Sequence, residues 1–405
     1  MPKDLFKFFS SLKLTVACLL MGCLLVFWGT LAQVHLGLYK AQNEFFRSVL
    51  VYWTPSGSNL HIPIFPGGYL LGTVLLINLL CAHLRYYQPG KRKIGIALIH
   101  FGVVLLLLGQ MLTDFLSRES ALHFRIGETK NYTEADRAFE LVVLDTSAPD
   151  SDKVVAIPCS RLVRRGKVSH PEMPFAVQLK TFYANSQLAQ QSQSGYEPVK
   201  ATAGLGPGIW WREVARETEM NRMDMPSATV EIITPKGSLG TFLVSAWLDR
   251  PQTFNFDGRP YELLLRQERY YLPFSLHLIE FRHDRYPGTN IPKNFSSRVR
   301  LQNLDNGEDR EVRIFMNNPL RYAGETFYQA SFDPDDHGSV LQVVHNPSWL
   351  TPYFSCVLVA TGLIIQFLSH LIPFLKRRLA TTGNAAASTA GRRDAGATRK
   401  EKKRS

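Results

Sequence analysis

Four long runs of apolar residues divide the chain, and each is long enough to cross a membrane. They span residues 14–34, 64–84, 94–116 and 349–372, and Asp114 is the single charged residue among them. A helix of about 20 apolar residues spans a hydrocarbon core of roughly 30 Å. The pattern therefore predicts an α-helical membrane protein with four transmembrane helices.

A different pattern fills residues 117–347, where short alternating segments are separated by Pro, Gly and Asp. The clearest example is a predicted hairpin, in which residues 298–302 and 311–315 flank an Asp-Asn-Gly turn at 305–307. Asn-Gly between two alternating runs is a strong hairpin signal. Several strands at this spacing predict a large β-rich domain, built as a sandwich or a barrel-like sheet.

The connection between the first two apolar runs, residues 35–63, has its own pattern. Phe45, Val49 and Trp53 recur at helical spacing within it. This spacing predicts a helix that lies in the membrane interface. A packed re-entrant cap is the alternative that the sequence leaves open.

Basic residues form three blocks beside the apolar runs. Residues 1–13, 85–93 and 376–405 carry net charges of +2, +4 and +8, although the whole chain carries only +12. Short basic segments that flank a membrane stay on its cytoplasmic side. Both termini and the 85–93 loop are therefore predicted to be cytoplasmic, and the β-rich domain at 117–347 is predicted to be extracytoplasmic.

This distribution of charge argues against nucleic acid as a partner. A basic protein often binds nucleic acid, but here membrane topology explains most of the excess charge. The tail at 376–405 is rich in Ala, Thr and Gly as well as in basic residues. It is predicted to be a disordered, solvated cytoplasmic segment.

Cysteine usage limits the chemistry of the exported segment. The chain has five cysteines, and only Cys159 lies outside the predicted spans. One cysteine cannot form an intrachain disulfide there. The sequence has no Cys-x-x-Cys, which excludes a thioredoxin-like centre, a zinc ribbon and a self-carried c-type haem. His277, His283 and the Asp333–His337 turn of the same segment are expected to be solvated surface features.

Three histidines fall within the apolar runs, at 83, 100 and 370. Ionisable residues inside a membrane are costly and are candidates for function. His100 follows Lys93 by seven residues and His370 precedes Lys376 by six, so each is expected about 10 Å inside the cytoplasmic boundary. His83 lies next to Arg85 and is predicted to be an interfacial side chain.

The third apolar run has two distinct faces. Gly95, Gly102 and Gly109 recur every seven residues, which predicts a close-packing face for another helix. His100 points to the opposite side of that helix. On the fourth run, Gln366 precedes His370 by one turn and is predicted to orient its imidazole.

These histidines admit three interpretations. Two neutral imidazoles at one depth suit axial ligation of a haem iron, but they also suit a proton path or a structural hydrogen bond. In the haem interpretation, nearby basic side chains would meet the carboxylates of the haem. Those side chains are Arg85, Lys91, Arg92 and Lys93.

Several motifs together resemble the ResB-like family of cytochrome c biogenesis proteins, and they are distributed over most of the chain. They occur at residues 11–15, 29–33, 98–102, 286–293, 318–324 and 327–331. The order of three spans, a large exported domain and a final span also resembles that family. The resemblance implies a multi-pass protein of the bacterial cytoplasmic membrane, whose large domain lies on the exported side.

The resemblance further implies a role in the System II pathway. Such a subunit pairs with a ResC-like (CcsA-like) membrane protein, carries haem b across the membrane and supports its covalent attachment to apocytochrome c. By position in its helix, His100 would be the haem-iron ligand. The partner would supply the second axial ligand, which leaves His370 as the weaker candidate.

The tryptophan-rich motif of the ResC-like partner does not occur in this sequence. The chain is therefore expected to be one subunit of a cytochrome c haem lyase, with no catalytic residue assigned and no metal other than haem iron. Two alternatives belong to other classes: a b-type haem electron-transfer subunit, and a non-catalytic membrane anchor with a binding domain.

Overall fold

The computed structural model describes most of the chain and divides it into two compact units. It describes residues 3–55, 60–86, 93–149, 151–220, 222–289 and 292–401, with side chains up to Leu379. The helical unit comprises residues 1–32, 41–116 and 347–405, and the β unit comprises residues 33–40 and 117–346.

Among the described residues, four helices are long and apolar enough to cross a membrane, as predicted. They are α2 (Leu12–Leu36), α4 (Gly68–Tyr86), α5 (Ile94–Leu116) and α7 (Thr351–Glu401). Two short helices, α1 (Lys3–Phe9) and α3 (Leu38–Ala41), flank α2. The sequence thus forms the four apolar helices that its hydropathy pattern predicts.

The last helix differs from the expectation in its length. Its apolar part covers Thr351–Leu379, but the helix continues to Glu401. The composition of residues 376–405 instead predicts a disordered tail. Ala, Arg and Lys are frequent in this segment and have high intrinsic helix propensity, which explains why the helix extends.

The connection after α2 forms a cap rather than an interfacial helix. A single π-helical turn (Gln42–Phe46) leads into a hairpin of β1 (Leu50–Trp53) and β2 (Ile62–Pro66). The predicted helix through Trp53 is therefore wrong, because β-branched and aromatic residues at 49–53 favour a strand. Phe45 is buried against the ring of Trp28, so the segment packs onto α2.

Residues 117–346 of the β unit form the short helix α6 (Cys159–Arg165) and antiparallel sheets. Its strands are β3 (Arg118–Arg125), β4 (Thr129–Asp145), β5 (Lys153–Pro158), β6 (Lys167–Ser169), β7 (Ala176–Tyr183), β8 (Ser186–Ala189), β9 (Glu197–Pro198), β10 (Trp210–Glu213), β11 (Ser227–Thr234), β12 (Gly237–Ser245), β13 (Gln252–Phe256), β14 (Arg259–Arg285), β15 (Pro292–Asn303), β16 (Glu308–Phe315), β17 (Leu320–Tyr322), β18 (Glu325–Phe332) and β19 (Gly338–His345).

The main sheet nearly closes on itself. Its strands follow the order β16-β15-β14-β4-β3-β19-β18-β17. Four residues connect the two end strands, β16 and β17, and Phe315 at the end of β16 forms a bridge with Asn318 in that connection. The predicted hairpin is present as β15 and β16, and Gly307 adopts the positive φ of 71° that its turn requires.

Two large hydrophobic cores lie in the described part of the β unit, beside a smaller cluster around Trp211, and the long strand β14 contributes residues to both large cores. The first core lies between β4, β5 and β14 on one side and the sheet β12-β11-β7-β6 on the other. The second fills the nearly closed sheet, around Phe124, Leu276 and Phe327. Both predicted arrangements, the sandwich and the barrel-like sheet, therefore occur in one unit.

Candidate functional site

The glycine face of α5 packs directly against α7. A Cβ atom added at Gly95 would lie 2.9 Å from the carbonyl oxygen of Gly362, and one added at Gly102 would lie 2.7 Å from a methyl of Val359. At Gly109 it would lie 2.5 Å from the Thr351 methyl. Real Cβ atoms do not approach this closely, so only glycine permits the contact between these helices.

His100 lies on the other side of α5 and faces α4. Its imidazole ring is 6.0 Å from that of His83, measured between centroids, and the two planes make an angle of 52°. Both side chains are half-buried. The sequence predicts the direction of His100 but not its neighbour, because His83 was expected at the membrane boundary.

The two imidazoles line one pocket between α4 and α5. The pocket has a volume of about 280 Å³. Its other lining residues are Leu79, Ala82, Tyr86, Lys93, Ile96 and Ala97. The pocket is therefore mainly apolar, and its polar residues are His83, His100, Lys93 and Tyr86.

A backbone hydrogen bond indicates which nitrogen of the neutral His100 ring carries the proton. Nδ1 of His100 lies 2.9 Å from the carbonyl oxygen of Ile96. A carbonyl can only accept, so Nδ1 carries the proton and Nε2 keeps its lone pair in the neutral ring. An imidazole held in this way is prepared to bind a metal through Nε2.

His370 has a different environment. It is exposed on α7, and its Nε2 accepts a hydrogen bond of 2.8 Å from the side-chain amide of Gln366. The predicted contact with Gln366 is therefore present, but it occupies the Nε2 lone pair that a metal would need. The described lining of the His83–His100 pocket does not include His370.

The basic residues near this pocket separate into two groups. Lys93 lines it, whereas Arg85 donates a hydrogen bond of 2.7 Å to Ser10 and lies over the ring of Tyr86. Lys91 and Arg92 lie outside the described residues. Of the four predicted carboxylate contacts, Lys93 is the one that the structure places at the pocket.

The spacing of residues along the sequence does not show that His83 lies beside His100. One signal was available, because the short loop between α4 and α5 makes them antiparallel neighbours. Residues near the loop on both helices then lie at the same end. The rotation of α4 about its axis, which decides whether His83 faces α5, depends on packing and cannot be obtained from a single apolar run.

In the β unit, the expectation for His283 is wrong. Its side chain is only 4% exposed, and Nδ1 lies 2.8 Å from a carboxylate oxygen of Asp336. The rings of Phe332, Phe281 and Phe295 surround it. A register shift between Leu278 and Glu280 changes which residues of β14 point inward, so simple alternation fails here.

The described residues thus form a protein with four helices long and apolar enough to cross a membrane and a large antiparallel β unit. Two histidines face each other between two of the helices. Residues 237–340, within the β unit, match the model of the ResB-like family. The resemblance to that family is therefore confirmed.

The chain is also similar to Protein NrfI of Wolinella succinogenes, with 26% identity over 300 residues. The match covers 74% of this chain but 30% of NrfI, so the chain spans about a third of the length of this relative. Together, the two matches support a role in cytochrome c biogenesis in general.

Proposed function

We propose that the chain is a haem-handling subunit in cytochrome c biogenesis, and that His100 binds the iron of its cargo, haem b. The observation that carries this proposal is the hydrogen bond between Nδ1 of His100 and the carbonyl of Ile96. It leaves the Nε2 lone pair directed away from the backbone, inside a membrane helix.

The pocket residues have complementary roles toward this cargo. His100 supplies one axial nitrogen to the iron, and Lys93 supplies a positive charge for a haem carboxylate. His83 is the nearest second imidazole within this chain, at 6.0 Å between ring centroids. The family resemblance assigns the second axial position to a ResC-like partner, and His83 then holds the His100 ring in place.

The basic blocks set the direction of transport in this proposal. They support a cytoplasmic location for the His83–His100 end of α4 and α5, where haem would be taken up. The β unit then lies on the exported side of the cytoplasmic membrane and receives apocytochrome c. Covalent attachment joins the vinyl groups of haem to the cysteine thiols of the apocytochrome, and this step belongs to the complete complex.

The test is His100→Ala in the full chain, co-expressed with a ResC-like partner. Haem co-purifying with the complex is expected to fall at least tenfold, and cytochrome c maturation is expected to fall with it, because an Fe–N bond is lost. The glycine face is unchanged, so the protein is expected to accumulate normally. Added imidazole is expected to restore part of the haem content.

His370→Ala is the matched control, since Gln366 already occupies its Nε2. It is expected to retain haem and maturation. His83→Ala is expected to shift the haem absorption spectrum with a smaller loss of haem. Full haem content and full maturation in His100→Ala, at normal protein level, would show that His100 has only a structural role.

A further inference from the structure

A second polar cluster lies at the opposite end of α4 and α5. Asp114 accepts a hydrogen bond from the Tyr69 hydroxyl and forms an ion pair of 3.1 Å with Nε of Arg47. The Asp114 side chain is 13% exposed, whereas that of Arg47 is 50% exposed. Charged residues in or beside a membrane span are costly and mark sites of function more often than sites of packing.

A pocket of about 420 Å³ adjoins this cluster. Its walls combine apolar residues with polar groups from α4, α5 and the π-helical turn. The lining residues are Gln42, Phe46, Arg47, Gly68, Tyr69, Gly72, Thr73, Leu76, Leu107, Gln110, Met111 and Asp114. A Cβ atom added at Gly72 would have nothing within 4 Å, so space at this wall is open.

The chemistry of the cluster favours a carboxylate on an apolar ligand. Asp114 engages Nε of Arg47, which leaves the two terminal amino groups of the guanidinium as a fork that matches a carboxylate. Gln42, Gln110 and Thr73 add uncharged donors around the same pocket. The apolar walls would contact the body of the ligand.

The two pockets lie along the same pair of helix faces. Tyr69 and His83 are fourteen residues apart on α4, as are His100 and Asp114 on α5, so the polar ends are about 21 Å apart along each helix. Leu76 lines one pocket and Leu79 lines the other. On α4, a single helical turn therefore separates the two linings.

We propose that the Arg47–Asp114 pocket is a second site for the same cargo, a porphyrin with carboxylate groups. It lies at the end of α4 and α5 that is opposite His100. Arg47 binds a carboxylate of the porphyrin, and Asp114 and Tyr69 hold the guanidinium in position. The inference rests on the proposed function. In that setting, the cargo moves from the imidazole pocket to this pocket before release.

The direct test uses a porphyrin without iron, so that iron ligation plays no part. The full chain in phosphatidylcholine nanodiscs is titrated with protoporphyrin IX and, separately, with its dimethyl ester, and binding is followed by porphyrin fluorescence against empty nanodiscs. Arg47→Gln is expected to weaken binding of the free acid at least tenfold. Binding of the ester, which has no carboxylate, is expected to be weak and unchanged.

Two further variants keep the test decisive if Arg47→Gln is poorly folded. Arg47→Gln with Asp114→Asn removes both charges, so that no unpaired carboxylate remains, and it is expected to show the same loss. Gly72→Leu fills the pocket and is expected to weaken binding at least tenfold. Gly22→Leu is its matched control, because a Cβ at Gly22 also has nothing within 4 Å and Gly22 lies outside this pocket.

Failure of this inference is distinguishable from failure of the proposed function. Unchanged affinity in both Arg47→Gln and Gly72→Leu would overturn it, as would an equal loss for the acid and the ester. Arg47-dependent displacement of the porphyrin by phosphatidylglycerol would assign the guanidinium to a lipid headgroup and would also overturn it. In cells, Gly72→Leu is expected to retain haem at His100 while maturation falls at least fivefold.

Discussion

At the scale of single residues, Cys159 shows how burial controls chemistry. It begins α6 and belongs to the first core of the β unit. Burial, with smaller contributions from the charges of Glu140 and Glu268, raises the pKa of its thiol to about 12. Since the thiolate is the reactive form, the thiol is inert at neutral pH.

The first prediction follows from that environment. In a chain whose other four cysteines are alanine, maleimide is expected to leave Cys159 unlabelled at pH 8 and to label it fully after denaturation. Labelling is measured by mass spectrometry. Rapid labelling of the folded chain would mean that the thiol is accessible.

Replacement of the same residue tests whether the thiol has a role. Cys159→Ser places a hydroxyl in an apolar core, which is expected to lower the free energy of unfolding by about 1–3 kcal/mol. Maturation of c-type cytochromes is expected to remain largely intact, and Cys159→Ala serves as the apolar control. Complete loss of maturation at normal protein level would reveal a function for the thiol.

The direction of a side chain could be predicted from the sequence where the spacing within one helix determines it. The heptad spacing of Gly95, Gly102 and Gly109 was sufficient to show that His100 points away from the close-packing face. The same reasoning could not find His83 or Arg47, because their neighbours are fixed by contacts between different elements. His283 was missed for a related reason, since a bulge changes the alternation of its strand.

At the scale of elements, α5 packs closely against α7 because Gly95, Gly102 and Gly109 have no side chains. A branched side chain at Gly102 would collide with Val359 and with the backbone of Ser355. The helices would have to separate, and the packing between them would be lost along their length.

Gly102→Val is therefore expected to lower the stability of the helical unit by about 1–3 kcal/mol, the usual range for overpacking. Thermal unfolding in detergent, followed by size-exclusion chromatography, measures the change. Gly22→Val is the matched control on α2 and is expected to unfold at nearly the temperature of the unaltered chain. Equal stability of both variants would contradict the close contact.

The hairpin at 298–315 is an element that the sequence predicts correctly, whereas the cap at 45–66 is one that it does not. An Asn-Gly turn between alternating strands carries its own local signal, and β15 and β16 form as expected. The segment after α2 has aromatic residues whose spacing suits a helix, yet it forms a π turn and a strand. Helical spacing and the β preference of residues 49–53 compete in this segment, and the strand forms.

At the scale of the whole molecule, the three basic blocks make a prediction about topology. Reporter fusions at Gly90 and Gly383 are expected to report the cytoplasm, and fusions at Ser58 and Asn306 the exported side, because basic flanks resist translocation. Gly90 and Ser58 lie outside the described residues. An exported Gly90 would reverse the proposed direction of haem transfer.

The number of apolar helices and the β-rich character of the large unit were predictable, because both follow from patterns within short windows. The number of hydrophobic cores in the β unit could not be predicted from the sequence. The two large cores share β14, and this arrangement arises from pairings between strands far apart in sequence, such as β14 with β4. No window of sequence contains both partners of such a pair.

The pairing of β3 with β19 has a consequence for synthesis of the protein. Arg118 of β3 pairs with His345 of β19, whereas β3 and β4 share only two pairs, at Ser120 and Ala121. The nascent chain therefore carries a strand whose main partner is made last. Until the ribosome has passed Gly338, one edge of β3 stays open to other chains. A product of premature termination would keep that open edge and would be a substrate for quality-control proteases.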